Sequence, residues 1–394
     1  MVRSLFALSM SVLLFSLAQF SAVAQPDDKN DPEIDGKKMS VWIETITKDE
    51  SARKRSLAVD PLLKAWVEKR NEQGLFYIGR ALRLDTSAAV RNQAAVALGS
   101  IRELEIRYLI EKKENLGVKD LVDAMGTEKE SRVRRQIANS IGRFPLVAKM
   151  AVVELTAALK DSEPATRAAV AEALGVTGSD GKSAAAGLAP LLTDEDKSVR
   201  KAVIIALGRI TPEGSSTIAD TMAKMLTTEK DADMKIELVT SIGLLAEKSP
   251  AVVSGLATLL TAPEDDLRRR AVRTLGTFGT ASGPAADDLY KLAKTDKLKD
   301  IRVDAVRGFG SSLGRAGVKS RVKELLALLT DPDYEVRLSV VDEIGSLGND
   351  LIEDQETIKA LRVRLSDPHL KVRDAVITAL NKIEKKPEPK KDPQ

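Results

Sequence analysis

The residues able to do chemistry are few. The chain of 394 residues has no cysteine and a single histidine, His369. Without cysteine there is no disulfide, no zinc–thiolate centre and no thiol nucleophile. With one histidine there is no two-histidine metal site, and a Ser-His-Asp relay would have to run through His369. Nothing in the sequence nominates its nucleophile or its orienting acid, so His369 reads as an exposed turn residue near a helix start. GVTGSDGKS, residues 175–183, nearly spells a phosphate-cradling loop. Val176 stands where the first glycine is required, and a helix rather than a strand precedes it. The acidic runs Glu264-Asp265-Asp266 and Asp287-Asp288 fit turns and helix starts better than Ca²⁺ or glycosidase chemistry. No catalytic, cofactor-binding or metal-ligating residue is assigned, and the chain reads as non-enzymatic.

What remains is charge at fixed spacing. Nine basic residues form a series: Arg91, Arg134, Arg167, Arg200, Lys235, Arg268, Arg302, Arg337 and Arg373. The gaps between them are 43, 33, 33, 35, 33, 34, 35 and 36 residues. Six positions before each stand Asp85, Glu128, Asp161, Asp194, Glu229, Ala262, Asp296, Asp331 and Asp367. Eight positions after each stand Gly99, Gly142, Gly175, Gly208, Gly243, Gly276, Gly310, Gly345 and Asn381. A period of this length is the mark of a solenoid, in which one supersecondary unit stacks on the next.

Each copy reads as two helices. The first carries apolar pairs such as Leu191/Leu192 and Leu328/Leu329, and a turn follows, marked by Asp331-Pro332 and Asp367-Pro368. The second runs through the basic residue, with Val199, Val203, Leu207 and Ile210 on one face at near-helical spacing. Asp196, Asp231 and Asp333 are placed to cap it. The acid six positions before the arginine sits in the turn, where a guanidinium from the same or the neighbouring repeat can fork onto it. Repeated along the array, this predicts a ladder built from Asp85, Arg91, Asp161, Arg167, Asp194, Arg200, Asp296, Arg302, Asp331, Arg337, Asp367 and Arg373. The glycine column either permits close packing or marks the helix end. Gly178, Gly279 and Gly348 are better placed as C-terminal caps.

The unit LxxLLTDxDxxVRxxAxxALGxI, as in residues 188–210 and 325–347, resembles the HEAT repeat family, over roughly residues 75–383. The resemblance implies an all-α fold, a right-handed α-solenoid of about nine to ten helical hairpins whose second helices line the concave side. It also implies protein binding and scaffolding. HEAT-like hydroxylases need several His-Glu ligand pairs, which one histidine excludes.

The ends depart from the pattern. MVRSLFALSMSVLLFSLAQFSAVAQ has a basic start, a short apolar run and a small-x-small site, which predicts a signal peptide over 1–24 and export to the periplasm or beyond the cell. Residues 25–37 are expected to be a disordered linker and 38–74 divergent capping helices without a clean arginine column. The repeat array spans 75–383, and 384–394 is expected to be a disordered Lys/Pro-rich tail. Trp42, Trp66, Phe76, Tyr77 and Tyr108 gather near the start of a chain that is only 3% aromatic. They serve either as a cap on the solenoid end or as a docking surface. The excess length of the first full gap lies in Glu103–Val118, expected as an extended first helix or a protruding loop.

Net charge is +3, from 61 basic and 58 acidic residues. That balance gives no general reason to expect nucleic acid or an anionic membrane as partner. No segment beyond the leader is long and apolar enough to span a membrane. On the exposed side of the second helices, Arg269, Arg270, Arg273 and Arg307 make a basic patch, followed by Asp342 and Glu343. That patch suits an acidic peptide or protein loop. The function expected is an exported scaffold that binds a protein or peptide through its concave face. The alternatives are an accessory factor for a cofactor-bearing client and a structural envelope protein.

Overall fold

The computed structural model describes residues 31–112, 116–210 and 214–384. The expected signal peptide over 1–24, residues 25–30 of the expected linker and residues 385–394 of the expected tail lie outside these residues. The described chain is almost wholly helical and divides into two compact units, one ending at Glu154 and one beginning at Leu155.

The first unit opens on a β-hairpin, not on a linker. Glu33–Ile34 pairs antiparallel with Lys37–Lys38 through a turn at Asp35 and Gly36, both with positive φ. Ile34 is buried, and its carbonyl accepts the Trp42 indole N–H at 2.8 Å. The expectation of disorder therefore fails for residues 31–37: one apolar side chain and one indole hydrogen bond anchor the strand. Helices Met39–Lys48, Ala52–Leu57 and Val59–Lys69 follow, and then the pairs Glu72–Leu84 with Ala88–Gly99 and Val118–Thr127 with Ser131–Ile141. Between those pairs lies an additional helix, Glu103–Glu111.

In the second unit the second helices of successive hairpins are Pro164–Gly175, Lys197–Ile210, Ala232–Leu245, Asp265–Thr277, Lys299–Ser320, Tyr334–Gly345 and Leu370–Glu384. The last of these takes in Glu384, which accepts from Arg362 at 2.8 Å. Lys299–Ser320 is interrupted at Gly314, whose φ of 61° and ψ of 178° no helix contains. Asp231 and Asp333 cap their helices as expected, and Asp196 accepts from Ser198 N at 2.8 Å. Gly178, Gly279 and Gly348 all have positive φ just past a helix, the conformation a C-terminal cap requires.

The turn chemistry is the same in copy after copy. The arginine's Nη1 donates to the carbonyls six and five positions before it, for example Arg167 to Asp161 O at 2.8 Å and Ser162 O at 3.2 Å. Its Nε and Nη2 fork onto the acid of the next copy. Arg167 reaches Asp194 at 2.8 and 2.9 Å, Arg302 reaches Asp331 at 2.8 and 2.9 Å, and Arg337 reaches Asp367 at 2.8 Å twice. That acid also accepts the backbone N–H two residues on, as Asp367 does from His369 at 3.0 Å. One carboxylate thus closes its own turn and bolts it to the preceding repeat. The arginine hydrogen bond is the main force holding Asp194 and Asp367 below the usual carboxylate range.

Within the first unit the ladder starts earlier than the sequence suggested. Arg55 forks onto Asp85 at 2.7 and 2.8 Å, donates to the Asp49 carbonyl, and stands six positions after Asp49. Asp49 and Arg55 are the acid and the arginine of a copy inside the capping region, with Leu63 in place of the glycine.

The glycine column serves close packing. A Cβ at Gly208 would lie 2.9 Å from Ser241 Cα, and one at Gly175 would lie 3.0 Å from Ala206 Cα. The residue met is the one six positions after the basic residue of the next copy: Ser140, Ala206, Ser241, Thr274, Gly308, Glu343 and Ala379. All but Glu343 are small.

Candidate interaction groove

The ladder has a gap, and the gap coincides with an opening. Arg200 keeps its carbonyl bonds to Asp194 and Glu195 but forms no ion pair with Glu229 among the described residues. Lys235 cannot fork, and Ala262 offers nothing to receive it. Exposed lysines cross the first of these seams instead: Lys197 to Asp231 at 2.6 Å and Lys201 to Glu237 at 3.5 Å. The helices Ala232–Leu245 and Asp265–Thr277 touch less extensively than the other neighbouring second helices of this unit. Their glycine contact is also slack, with Thr274 3.7 Å from a Cβ at Gly243.

Between these two helices runs a groove of about 380 Å³. Val239, Gly243 and Thr274 contribute its apolar and small surface, and Asp266, Arg269, Arg270 and Arg273 its charge. Three of the four expected binding arginines therefore meet at one place. Successive offsets of one, two and five from Arg268 put them on one face of a helix whose opposite face, through Leu267, Ala271 and Leu275, is buried.

Their partners differ. Arg270 Nε pairs with Asp266 at 2.9 Å, and its Nη1 reaches Thr240 Oγ1 at 3.4 Å. Arg273 Nε crosses to Asp304 of the next repeat at 2.7 Å, with its side chain 62% exposed. Arg269 Nε is buried and has no hydrogen-bond partner. The patch is therefore less cationic than its sequence implies, since Asp266 and Asp304 already pair with two of its arginines. Arg307 does not line this groove. It is exposed on the following helix, where its charge acts on Asp342 and Glu343. Burial pushes the Glu343 carboxyl up to about 7, Arg307 pulls the other way, and Asp342 adds to the rise.

His369 stands in the turn just before helix Leu370–Glu384, as expected, but it is not exposed. It is half-buried and stacks on the Tyr334 ring, with centroids 3.5 Å apart and planes 11° apart. The stretch Gly178–Ala184, inside the loop that resembled a phosphate cradle, is a single run of 3₁₀ turns following the helix Pro164–Gly175. Among the described residues no helix is long and apolar enough to cross a membrane.

Residues 152–243 and 311–392 match the family model of HEAT repeats. Among solved structures, the crystal structure of an engineered protein is similar, with a TM-score of 0.61 at 20% identity over 88% of this chain and 99% of that one. A crystal structure of importin β is similar with a TM-score of 0.52 at 16% identity, over 88% of this chain and 50% of that one. The chain thus spans half the length of that importin β chain. At these identities the likeness is one of fold, the α-solenoid. A sequence comparison with curated proteins finds no match.

Proposed function

From the premise that the chain carries HEAT repeats over residues 152–243 and 311–392, we propose that it is an exported, non-enzymatic scaffold that binds an acidic segment of another protein. HEAT solenoids typically serve protein binding, through long surfaces that make many shallow contacts. The observation that carries the proposal is the groove between Ala232–Leu245 and Asp265–Thr277, opened where the ladder lacks a rung and lined by Arg269, Arg270 and Arg273. A carboxylate entering it meets the guanidinium groups of Arg269, Arg270 and Arg273. It also competes with Asp266 and Asp304 for guanidinium groups that are already exposed. Binding should weaken as salt rises, since these charges are solvent-screened.

The test is native recovery of the C-terminally tagged chain from the exported fraction after mild crosslinking. A second sample carries Arg269→Glu, Arg270→Glu and Arg273→Glu. A partner crosslinked to the groove helices in the first sample and lost in the second supports the reading. A partner retained by the triple variant removes the groove from it. The N-terminus of the recovered protein tests export separately: the reading requires it to begin at Gln25.

A further inference from the structure

We infer that a second site, in the unit ending at Glu154, binds a small amphiphilic carboxylate, with its apolar body against Trp66, Leu104 and Tyr108 and its charge on Arg70 and Arg102. The site is a pocket of about 430 Å³ between helix Val59–Lys69 and helix Glu103–Glu111. That volume is in the range of small-molecule sites, about 300–1,000 Å³, and most of the lining is apolar.

The pocket forms where the repeat is longest. Helix Glu103–Glu111 stands where the next copy has the shorter helix Pro145–Met150, and with its preceding residue it supplies Arg102, Leu104, Glu105 and Tyr108. Leu104 and Tyr108, one helical turn apart, are 80% and 43% exposed, whereas Ile106 and Leu109 on the opposite side are fully buried. An apolar pair left open beside a cavity, on a helix whose opposite side is buried, is a surface suited to an apolar ligand. Trp66 is 1% exposed, yet its indole N–H has no hydrogen-bond partner.

The charge points to an anion. Glu105 is 5% exposed, and its Oε1 takes Arg70 Nη1 at 2.9 Å and Arg102 Nη2 at 2.5 Å. Its Oε2 is buried and unpartnered. One carboxylate is thus sunk beneath two guanidinium groups whose side chains are 53% and 70% exposed. The trio carries a net positive charge and shows its cationic side to solvent. Arg70, held at its place by a left-handed φ of 55°, also lies 5.3 Å over the Trp66 ring. Glu72 also lines the pocket, so the attraction for an anion comes from the two exposed guanidinium groups rather than from an excess of positive charge in the lining.

The test uses Trp66 as reporter, in full-length chain carrying Trp42→Phe. Fluorescence is titrated with octanoate, octan-1-ol and octylamine. The site predicts saturable binding of octanoate, at least about tenfold tighter than the alcohol, with the amine weakest. Leu104→Asp, at an exposed position, should abolish the response without shifting the melting temperature. Should it shift, Tyr108→Ala replaces it. Arg102→Ala should bring octanoate to the level of the alcohol. The groove variant Arg269→Glu should bind octanoate unchanged, which separates this site from the protein-binding reading. No saturable response, equal binding of acid and alcohol, or an unaltered response in the Leu104 or Tyr108 variant would each overturn the inference.

Discussion

The repeats from Lys299 onward and the seam on either side of Ala232–Leu245 are built from the same template and held in different ways. In the former, Arg302 and Arg337 reach across to Asp331 and Asp367, with the Asp367 side chain fully buried and that of Arg337 10% exposed. In the latter, Arg200 and Glu229 form no pair among the described residues, Lys235 and Ala262 replace the next fork, and the side-chain contacts that cross are exposed: Lys197 to Asp231 and Lys201 to Glu237 at the first seam, Arg270 to Thr240 at the second. A bidentate buried pair fixes both distance and angle between repeats. An exposed lysine pair fixes neither and adds little stability. Register here is therefore a local property, set seam by seam. A solenoid can be bolted at some seams and left without forks at others, and the groove of this chain lies at one of its two unforked seams.

The largest test of this contrast is removal of the bolt. Arg337→Ala leaves Asp367 charged, buried and without its guanidinium, and should cost about 3–5 kcal/mol in urea unfolding. Lys235→Ala, at the equivalent position of the open seam, should stay within about 0.5 kcal/mol. Equal losses would erase the distinction.

Packing gives the next contrast. Gly208→Ala drives a methyl into Ser241 and should cost about 1–3 kcal/mol. Gly243→Ala meets Thr274 at ordinary contact distance, 3.7 Å, and should gain up to about 1 kcal/mol from helix propensity. Paired unfolding curves decide it, and a loss at both sites would show the open seam to be as tight as its neighbour.

Glu343 sharpens the picture on the bolted side, where it fills a position that is small in every other copy. Its folded-state pKa of about 7 lies above its ordinary 4.5. The native state therefore holds a proton that the unfolded chain releases, and stability falls as pH rises from about 4.5 to 7. Glu343→Gln should stabilise the protein by about 1–2 kcal/mol at pH 8 and make little difference at pH 4. Melting temperatures across that range check it. A gain that is constant with pH would locate the effect in shape rather than charge.

The smallest effect is repair of the missing rung. Lys235→Arg with Ala262→Asp should add about 1 kcal/mol and reduce capture of an acidic partner, because the new fork draws the two helices together. Added stability with undiminished binding would separate the groove from the gap.

Much of this was legible in the residues. The acid, arginine and glycine columns recur at fixed offsets because each repeat must solve the same three local problems: a turn to close, a helix to cap and a neighbour to approach. Local problems leave local traces, so hairpins, caps and the absent fork at Lys235 and Ala262 could all be read in one dimension. Arg55 could have been found the same way, six positions after Asp49. The exposed face bearing Arg269, Arg270 and Arg273 was likewise readable from helical period. Which charges on that face are already spent was not, because Asp304 lies a repeat away from Arg273 and sequence spacing does not show which side chains meet. For the same reason the stacking of His369 on Tyr334, the intrusion of Glu343 at Gly310 and the pocket joining Trp66 to Glu105 had no linear signature. The sequence by itself determined the repeating unit and the chemistry of its turns, since those depend on residues within one hairpin. Only the tertiary structure decided where the seams are tight, which arginines are free and where the chain leaves room for a ligand. Those depend on side chains about thirty or more residues apart arriving within 3 or 4 Å of each other.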